Sequence, residues 1–213
     1  MVESVTAGGE PVLKGKRPNK HVQRREATRA GLLRLGIERF PLKGYAATTI
    51  EDIVHDSDYT RGAFYFHFGS KEAFFVEVLR WRGNERSEWA SRALDPAPAT
   101  LRDAIAAMVS VLPDERQNGL GFGMLIAEFF QSLPEGSSHL DELRELYAGW
   151  LAEAAVWVDA VKELGLARDD LTADEITAAV LAVHDGLLLH RAVYGLEVTP
   201  ESYVDVIHRM LQP

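Results

Sequence analysis

Thr48-Thr49-Ile50-Glu51-Asp52-Ile53-Val54-His55-Asp56-Ser57-Asp58-Tyr59-Thr60-Arg61-Gly62-Ala63-Phe64-Tyr65-Phe66-His67-Phe68-Gly69-Ser70-Lys71 holds two short helical patterns around a tight turn, and a third helix starts at its end. Thr49 is placed to cap the first, because its hydroxyl accepts from an orphan backbone N–H one turn on. Ile50, Ile53 and Val54 then share one face at helical spacing. Ser57-Asp58 breaks the pattern with residue types that bond their own backbone and tolerate turn geometry. Thr60 caps the second helix, with Phe64 inward and Phe68 closing it, and Ser70 caps the third. Helix, tight turn, helix is the helix-turn-helix arrangement, whose second helix enters the DNA major groove.

Upstream, residues 21–40 read as a helix with Ala30, Leu33, Ile37 and Phe40 on its buried stripe. Gly31 and Gly36 weaken it by about 1 kcal/mol each relative to Ala, and Gly36 leaves room for another helix to approach. Pro41 and Gly44 end the element, and Tyr45 packs with its hydroxyl toward water. Residues 1–19 are rich in Gly, Pro, Lys and small polar residues and read as a disordered basic arm. Lys14, Lys16, Arg17 and Lys20 make it either a solvated tail or a minor-groove and phosphate contact.

Downstream, residues 70–93 read as one long connecting helix with Phe74, Val78 and Trp81 on a stripe and Arg80, Arg82 and Arg86 facing elsewhere. Asp95-Pro96-Ala97-Pro98 breaks the chain. Helices follow over about 100–112, 120–133, 138–164, 172–194 and 201–212, with Thr172 and Glu175 forming a capping box and Pro200 in a first turn. There is no strand alternation of useful length, so the fold class is all-α. An N-terminal three-helix domain with the helix-turn-helix (residues 20–70) joins a C-terminal helical regulatory and dimerisation domain (71–213), and helix 70–93 connects the two.

Charge supports the same division. The net charge is −9, yet residues 1–71 carry 12 Lys+Arg against 8 Asp+Glu, while the remainder carries 11 against 24. A mildly basic head on an acidic body fits a DNA-facing module joined to something else. There is no cysteine, which removes disulfide and thiolate-metal frameworks. The N-terminus lacks a signal peptide's apolar region and no apolar run approaches bilayer length, so the chain reads as cytoplasmic with no membrane partner.

The series resembles the TetR (tetracycline-repressor-like) transcriptional regulators. Thr48-Thr49-Ile50, Thr60 through Phe68 and Ser70-Lys71-Glu72 carry the resemblance, with Thr28-Arg29, Leu32-Leu33, Ile37 to Phe40 and Lys43-Gly44-Tyr45 upstream. Together they cover about residues 26–75 in order and spacing. The resemblance implies phosphate contacts at Thr49, Tyr65, His67 and Lys71, an intersubunit four-helix bundle, and an apolar cavity in the body.

The expected DNA-binding set is Thr48, Thr49, Thr60, Arg61, Gly62, Ala63, Tyr65, Phe66, His67 and Lys71. Arg61 reads a guanine edge or holds a phosphate. Gly62 and Ala63 let the backbone approach the groove floor, and Phe66 meets thymine methyls or packs inward. Where the family usually has a small residue and Gly in the turn, this chain has Ser57-Asp58, so Asp58 is expected to take the left-handed conformation. Asp56 and Asp58 also place negative charge near a polyanion.

One such module touches few base pairs, so a two-fold dimer on a palindromic operator is expected, with half-sites ~34–36 Å apart. Ala178, Ala182 and Gly186, with Tyr203, Val206, Ile207 and Met210, offer faces for a homodimer through 172–194 and 201–212, or for internal packing. Large adaptable side chains in the middle helices suggest a small apolar ligand, with Phe129, Trp150 and His184 as its wall. No hydrolase elbow, Walker loop or dinucleotide fingerprint is present, which argues against an enzyme. No cofactor or metal is implied: His184 and His190 stand roughly 240° apart around a helix. The reading is a ligand-responsive repressor; the alternative is a DNA-binding dimer controlled by protein contact.

Overall fold

The computed structural model describes residues 20–92, 94–95, 97–111, 121–197 and 199–213. The described residues form α1 (Lys20–Lys43), α2 (Ile50–Val54), α3 (Arg61–Phe68), α4 (Lys71–Arg92), α5 (Leu101–Val111), α6 (Phe122–Ser132), α7 (Ser138–Glu163), α8 (Ala173–Tyr194) and α9 (Pro200–Leu211), and no strand. The arm at Lys14, Lys16 and Arg17, the helix ends at Ala93, Leu112 and Leu120, and Pro96 lie outside them.

The caps appear where the hydroxyls stand. Thr49, Thr60, Thr172 and Thr199 each accept from a backbone N–H three residues on, and Ser70 does the same for Ala73. α1 runs one turn further than its apolar pattern, with Pro41 inside the last turn. Pro41 forfeits only its own N–H, and Gly44 closes the turn by donating to the Phe40 carbonyl at 2.9 Å with φ at +87°. Gly36 lies where α4 comes close: a Cβ there would stand 2.6 Å from Val78 Cγ2.

Among the described residues two apolar clusters organise the packing. The first joins Leu32, Leu33, Phe40, Ile53, Phe64, Phe74 and Phe75, and continues into Leu125 and Phe129 of α6 and Leu143 of α7. The core of the head therefore runs past residue 70 into the body. The Phe129 ring stands 4.8 Å from Tyr45 and 4.9 Å from Phe75, centroid to centroid. The second cluster holds Leu101, Ile105, Trp157, Val161, Ile176, Val204 and Ile207, on α5 and α7 to α9.

Three expectations change. Tyr45 is 2% exposed; burial and then Glu72 push its hydroxyl above the ordinary tyrosine range, so that hydroxyl does not face water. Arg82 is buried over the Phe122 ring, 4.1 Å from its centroid, because a guanidinium lies flat on an aromatic face. And α8 is long and apolar enough by composition to cross a membrane, although only 11% of the residues in its most apolar stretch are buried within the chain.

Candidate nucleic-acid interface

The first turn of α2 is held by a reciprocal cap. Asp52 N–H donates to Thr49 Oγ1 at 3.1 Å, and Asp52 Oδ2 accepts from the Thr49 backbone at 2.9 Å and its hydroxyl at 2.7 Å. Lys43 Nζ reaches Asp52 Oδ1 at 2.5 Å, and this bond, followed by those from Thr49, holds the Asp52 carboxyl well below the usual carboxylate range.

The turn after α2 uses Asp56, not Asp58, as its left-handed residue, with φ at +51°. Ser57 holds the turn on both sides: its hydroxyl donates to the Val54 carbonyl at 2.7 Å, across Asp56, and accepts from Tyr59 N–H at 3.2 Å, across Asp58.

α3 buries Phe64 and Phe68 and turns Arg61, Gly62, Tyr65 and Phe66 outward. Tyr65 is 45% and Phe66 69% exposed. The exposure of Phe66 decides between its two roles: it stands at the surface, under the Arg25 guanidinium at 5.3 Å. Arg61 is exposed and pairs with Glu51 at 2.5 Å. Thr60 Oγ1 accepts from Ala63 N–H at 3.1 Å. His67 is half-buried; burial first, then Arg25 and Arg29, lower its pKa, so the ring is neutral at pH 7.

Two members of the expected set hold the turn instead of facing outward. Thr48 is 1% exposed and donates to the Gly44 carbonyl at 2.6 Å, so its side chain is not available to DNA. Lys71 Nζ points into the loop before α2, donating to the carbonyls of Tyr45 (3.0 Å), Thr48 (3.1 Å) and Ala46 (3.4 Å), and lies 4.4 Å from the Tyr45 ring centre. The same loop is gripped from the body: Glu128 of α6 accepts from Tyr45 N–H at 2.6 Å and Ala46 N–H at 3.2 Å. Sequence reasoning missed Arg25, Glu51 and this use of Glu128. Arg25 had a signal, since it precedes the apolar stripe of α1 by less than two turns, but nothing local ties Glu128 to residue 45.

The residues expected to line a ligand site do not meet. Phe129 is fully buried in the head-side cluster, and Trp150 packs against that cluster with its Nε1 beside Gly83. His184 lines a separate apolar cavity of about 100 Å³ among α5, α7, α8 and α9, with Ile105, Met108, Val158, Val180, Leu181 and Ile207. Ile207 is 3% exposed, and Tyr203 and Met210 pack on the same cluster, so of the α9 residues offered for a dimer only Val206, 41% exposed, remains outside. On α8, Ala178 and Ala182 are exposed, with Leu189 at 42% and Val193 at 59% further along.

Residues 32–78 match the model of the bacterial regulatory proteins of the tetR family, and residues 99–212 that of the C-terminal domain of BetI-type transcriptional repressors. The chain is similar to the HTH-type transcriptional repressor DhaR of Mycobacterium sp. (strain GP1), 26% identical over 194 residues that cover 89% of this chain and 94% of that protein. A TetR transcriptional regulator from Legionella pneumophila shares the fold with a TM-score of 0.69 at 20% identity, over 85% of this chain and 96% of that one. Escherichia coli NemR in its reduced form does so with a TM-score of 0.69 at 17% identity, over 86% and 97%.

Proposed function

This chain belongs to the TetR family of bacterial regulatory proteins, as a transcriptional regulator with a DNA-binding domain, and on that ground we propose that it is a ligand-responsive repressor that binds a palindromic operator as a homodimer in the cytoplasm. The observation that carries the DNA-reading part is α3, which buries Phe64 and Phe68 and offers Arg61, Tyr65 and Phe66 to a groove. Arg61 reads or steers, and the Tyr65 hydroxyl and the His67 ring N–H hold phosphates. Arg25, beside Phe66, adds a cation from α1. Thr49, Thr60 and Lys71 act mainly by fixing the two helices against each other.

Dimerisation runs through the exposed apolar stripe of α8 and Val206 of α9. This also accounts for a helix of membrane-like composition of which the chain itself buries only a few residues fully. A small apolar molecule enters the cavity at His184. From there the elements connect: Asp185, next on α8, stands where a Cβ on Gly123 of α6 would lie 2.7 Å from its Oδ1, and α6 carries Glu128, which grips residues 45 and 46. A coupling of ~1–3 kcal/mol along these elements changes operator affinity ~5–150-fold.

The test is selection from genomic fragments by the purified protein, followed by titration on the selected site at several salt concentrations. The expected outcome is a palindromic site, steep salt dependence, and two chains per site. Salt-insensitive binding without sequence preference sinks the reading. Site-specific binding that no small molecule releases supports control by protein contact.

A further inference from the structure

Phe66 stands midway along the chain between Phe64 and Phe68, the two side chains that α3 buries. At 3.6 residues per turn it lies about 180° around the helix from the middle of their face. It is 69% exposed, a large ring on the side of α3 opposite the core. Gly62, one turn earlier, shares that outward line, and a Cβ there would meet nothing nearer than Thr60 Oγ1 at 3.7 Å. The outward face of α3 is therefore flat at Gly62, and the Phe66 ring is the large group that projects from it. The Arg25 guanidinium lies 5.3 Å from the ring centre, and the His67 ring meets it edge to face at 5.2 Å. An exposed apolar ring among basic groups is matched to a surface that is anionic overall and apolar at one point.

We propose that Phe66 is a specificity-determining residue of the DNA interface, and that it reads the C5 methyl group of a thymine in the major groove. The assignment rests on the DNA-reading role of α3 given above and names one base that α3 takes. The chemistry of the groove leaves one partner. Guanine offers two acceptors there, cytosine a donor, adenine one of each, and thymine an acceptor together with a methyl group. A phenyl ring carries no hydrogen-bonding group, so against the polar edges it strips water and returns nothing. Against the methyl it gains, because both apolar surfaces leave water together. Phosphates are no target for it either, since they take hydrogen-bond donors and cations. Arg61, at the start of α3 and paired with Glu51, serves a different position about one and a half turns away.

The probe is the duplex that the full chain selects from genomic fragments, remade with thymines replaced one at a time by deoxyuridine, which deletes the methyl and keeps the base pair. Affinity is read by fluorescence anisotropy at one salt concentration, for the parent chain and for Phe66→Ala. One thymine in each half-site is expected to matter. Uracil there weakens the parent about three- to fivefold, the worth of one methyl group, and uracil in both half-sites about ten- to twentyfold. Phe66→Ala is expected to bind the thymine duplex more weakly and to make no distinction between thymine and uracil at that position. It melts with the parent chain, because the residue is exposed. A residue that only shapes α3 behaves otherwise: its loss weakens both duplexes alike and keeps the methyl difference. Site-specific binding in which no uracil weakens the parent, or a Phe66→Ala chain that loses as much on the same uracil, overturns the assignment and leaves the DNA-reading role of α3 standing. A chain that selects no site sinks that role, and the assignment with it.

Discussion

Glu128 on α6 accepts the backbone N–H of Tyr45 at 2.6 Å across 83 residues of sequence. It also takes Ala46 N–H at 3.2 Å, so one carboxylate of the body closes the loop that leads into the DNA-reading helices. Hydrogen bonds to a charged group contribute about 1.5–3 kcal/mol net. Glu128→Ala is therefore expected to destabilise the chain by about 2–3 kcal/mol in denaturant melts. It should also shrink the ratio of operator affinities with and without inducer, leaving inducer affinity near its parent value. A variant whose ratio matches the parent removes Glu128 from the coupling.

Lys71 makes the complementary contact from the other side of the loop. Its ammonium has three donors, and all three go to the carbonyls of Tyr45, Ala46 and Thr48. Lys71→Met is expected to lower stability by about 1–3 kcal/mol as well as DNA affinity, for every sequence alike. A lysine acting only on phosphate behaves otherwise: its loss leaves the melt unchanged and reduces the slope of log affinity on log salt by about one. Melting and salt titration of the same variant separate the two.

The Arg61–Glu51 pair sets a competition on the reading face. Both side chains are more than half exposed, at 58% and 57%, so the pair adds little to stability. DNA must draw Arg61 away from Glu51 or accept a carboxylate near its phosphates. Glu51→Gln is expected to raise operator affinity several-fold at low salt with a stability change within about 0.5 kcal/mol. Fluorescence anisotropy on labelled operator reads this directly, and an affinity that falls instead assigns Glu51 a base contact of its own.

His67 gives the interface a pH dependence of known sign. In the free chain burial, Arg25 and Arg29 depress its pKa below the ordinary 6.5. A phosphate beside it favours the charged ring and raises the pKa of the bound state. Binding then takes up a proton, so affinity rises as pH falls through the interval between those two pKa values and is flat well above it. In the free chain the depressed pKa works against the fold on the acid side, because the unfolded chain binds more protons there. Titrations at pH 5.5 to 8 are expected to show the rise for the parent chain and its loss in His67→Gln. An identical profile in the variant moves the proton elsewhere.

What the sequence disclosed was local. Thr49, Thr60, Ser70 and Thr172 cap their helices because a hydroxyl and an N–H three residues on meet without help from the rest of the chain. Phe64 and Phe68 turned inward for the same reason, since helical period alone puts them on one face. Residues whose role depends on a distant partner were misjudged. Periodicity set Arg82 on a polar face, but Phe122 gave its guanidinium a buried ring to lie on. Phe129 and Trp150 carried the composition of a ligand wall, yet belong to the cluster that supports the head. Trp157 Nε1 and Thr177 Oγ1 are buried without a hydrogen-bond partner among the described residues, which no local pattern announces. Asp56 takes the left-handed position in place of Asp58, inside the turn that the Ser57 hydroxyl closes onto the Val54 carbonyl.

The exposed stripe of α8 supplies the last test. Ala178 and Ala182 face outward, and Leu189 and Val193 continue the line at spacings of seven and four. Small residues let two helices approach closely, while the larger pair supplies apolar area, about 25 cal/mol per Å² removed from water. Ala182→Glu places a charge at the centre of this face, where two-fold symmetry brings each copy near its twin. Because the residue is exposed in the single chain, the helix itself tolerates glutamate, a good helix former. The expected outcome is a chain that keeps its helical circular dichroism, sediments as a monomer, and binds operator at least a hundredfold more weakly, since one recognition helix then acts alone. A variant that stays dimeric moves the interface off α8. One that turns monomeric and still binds at parent affinity sinks the claim that two heads are needed to hold the operator.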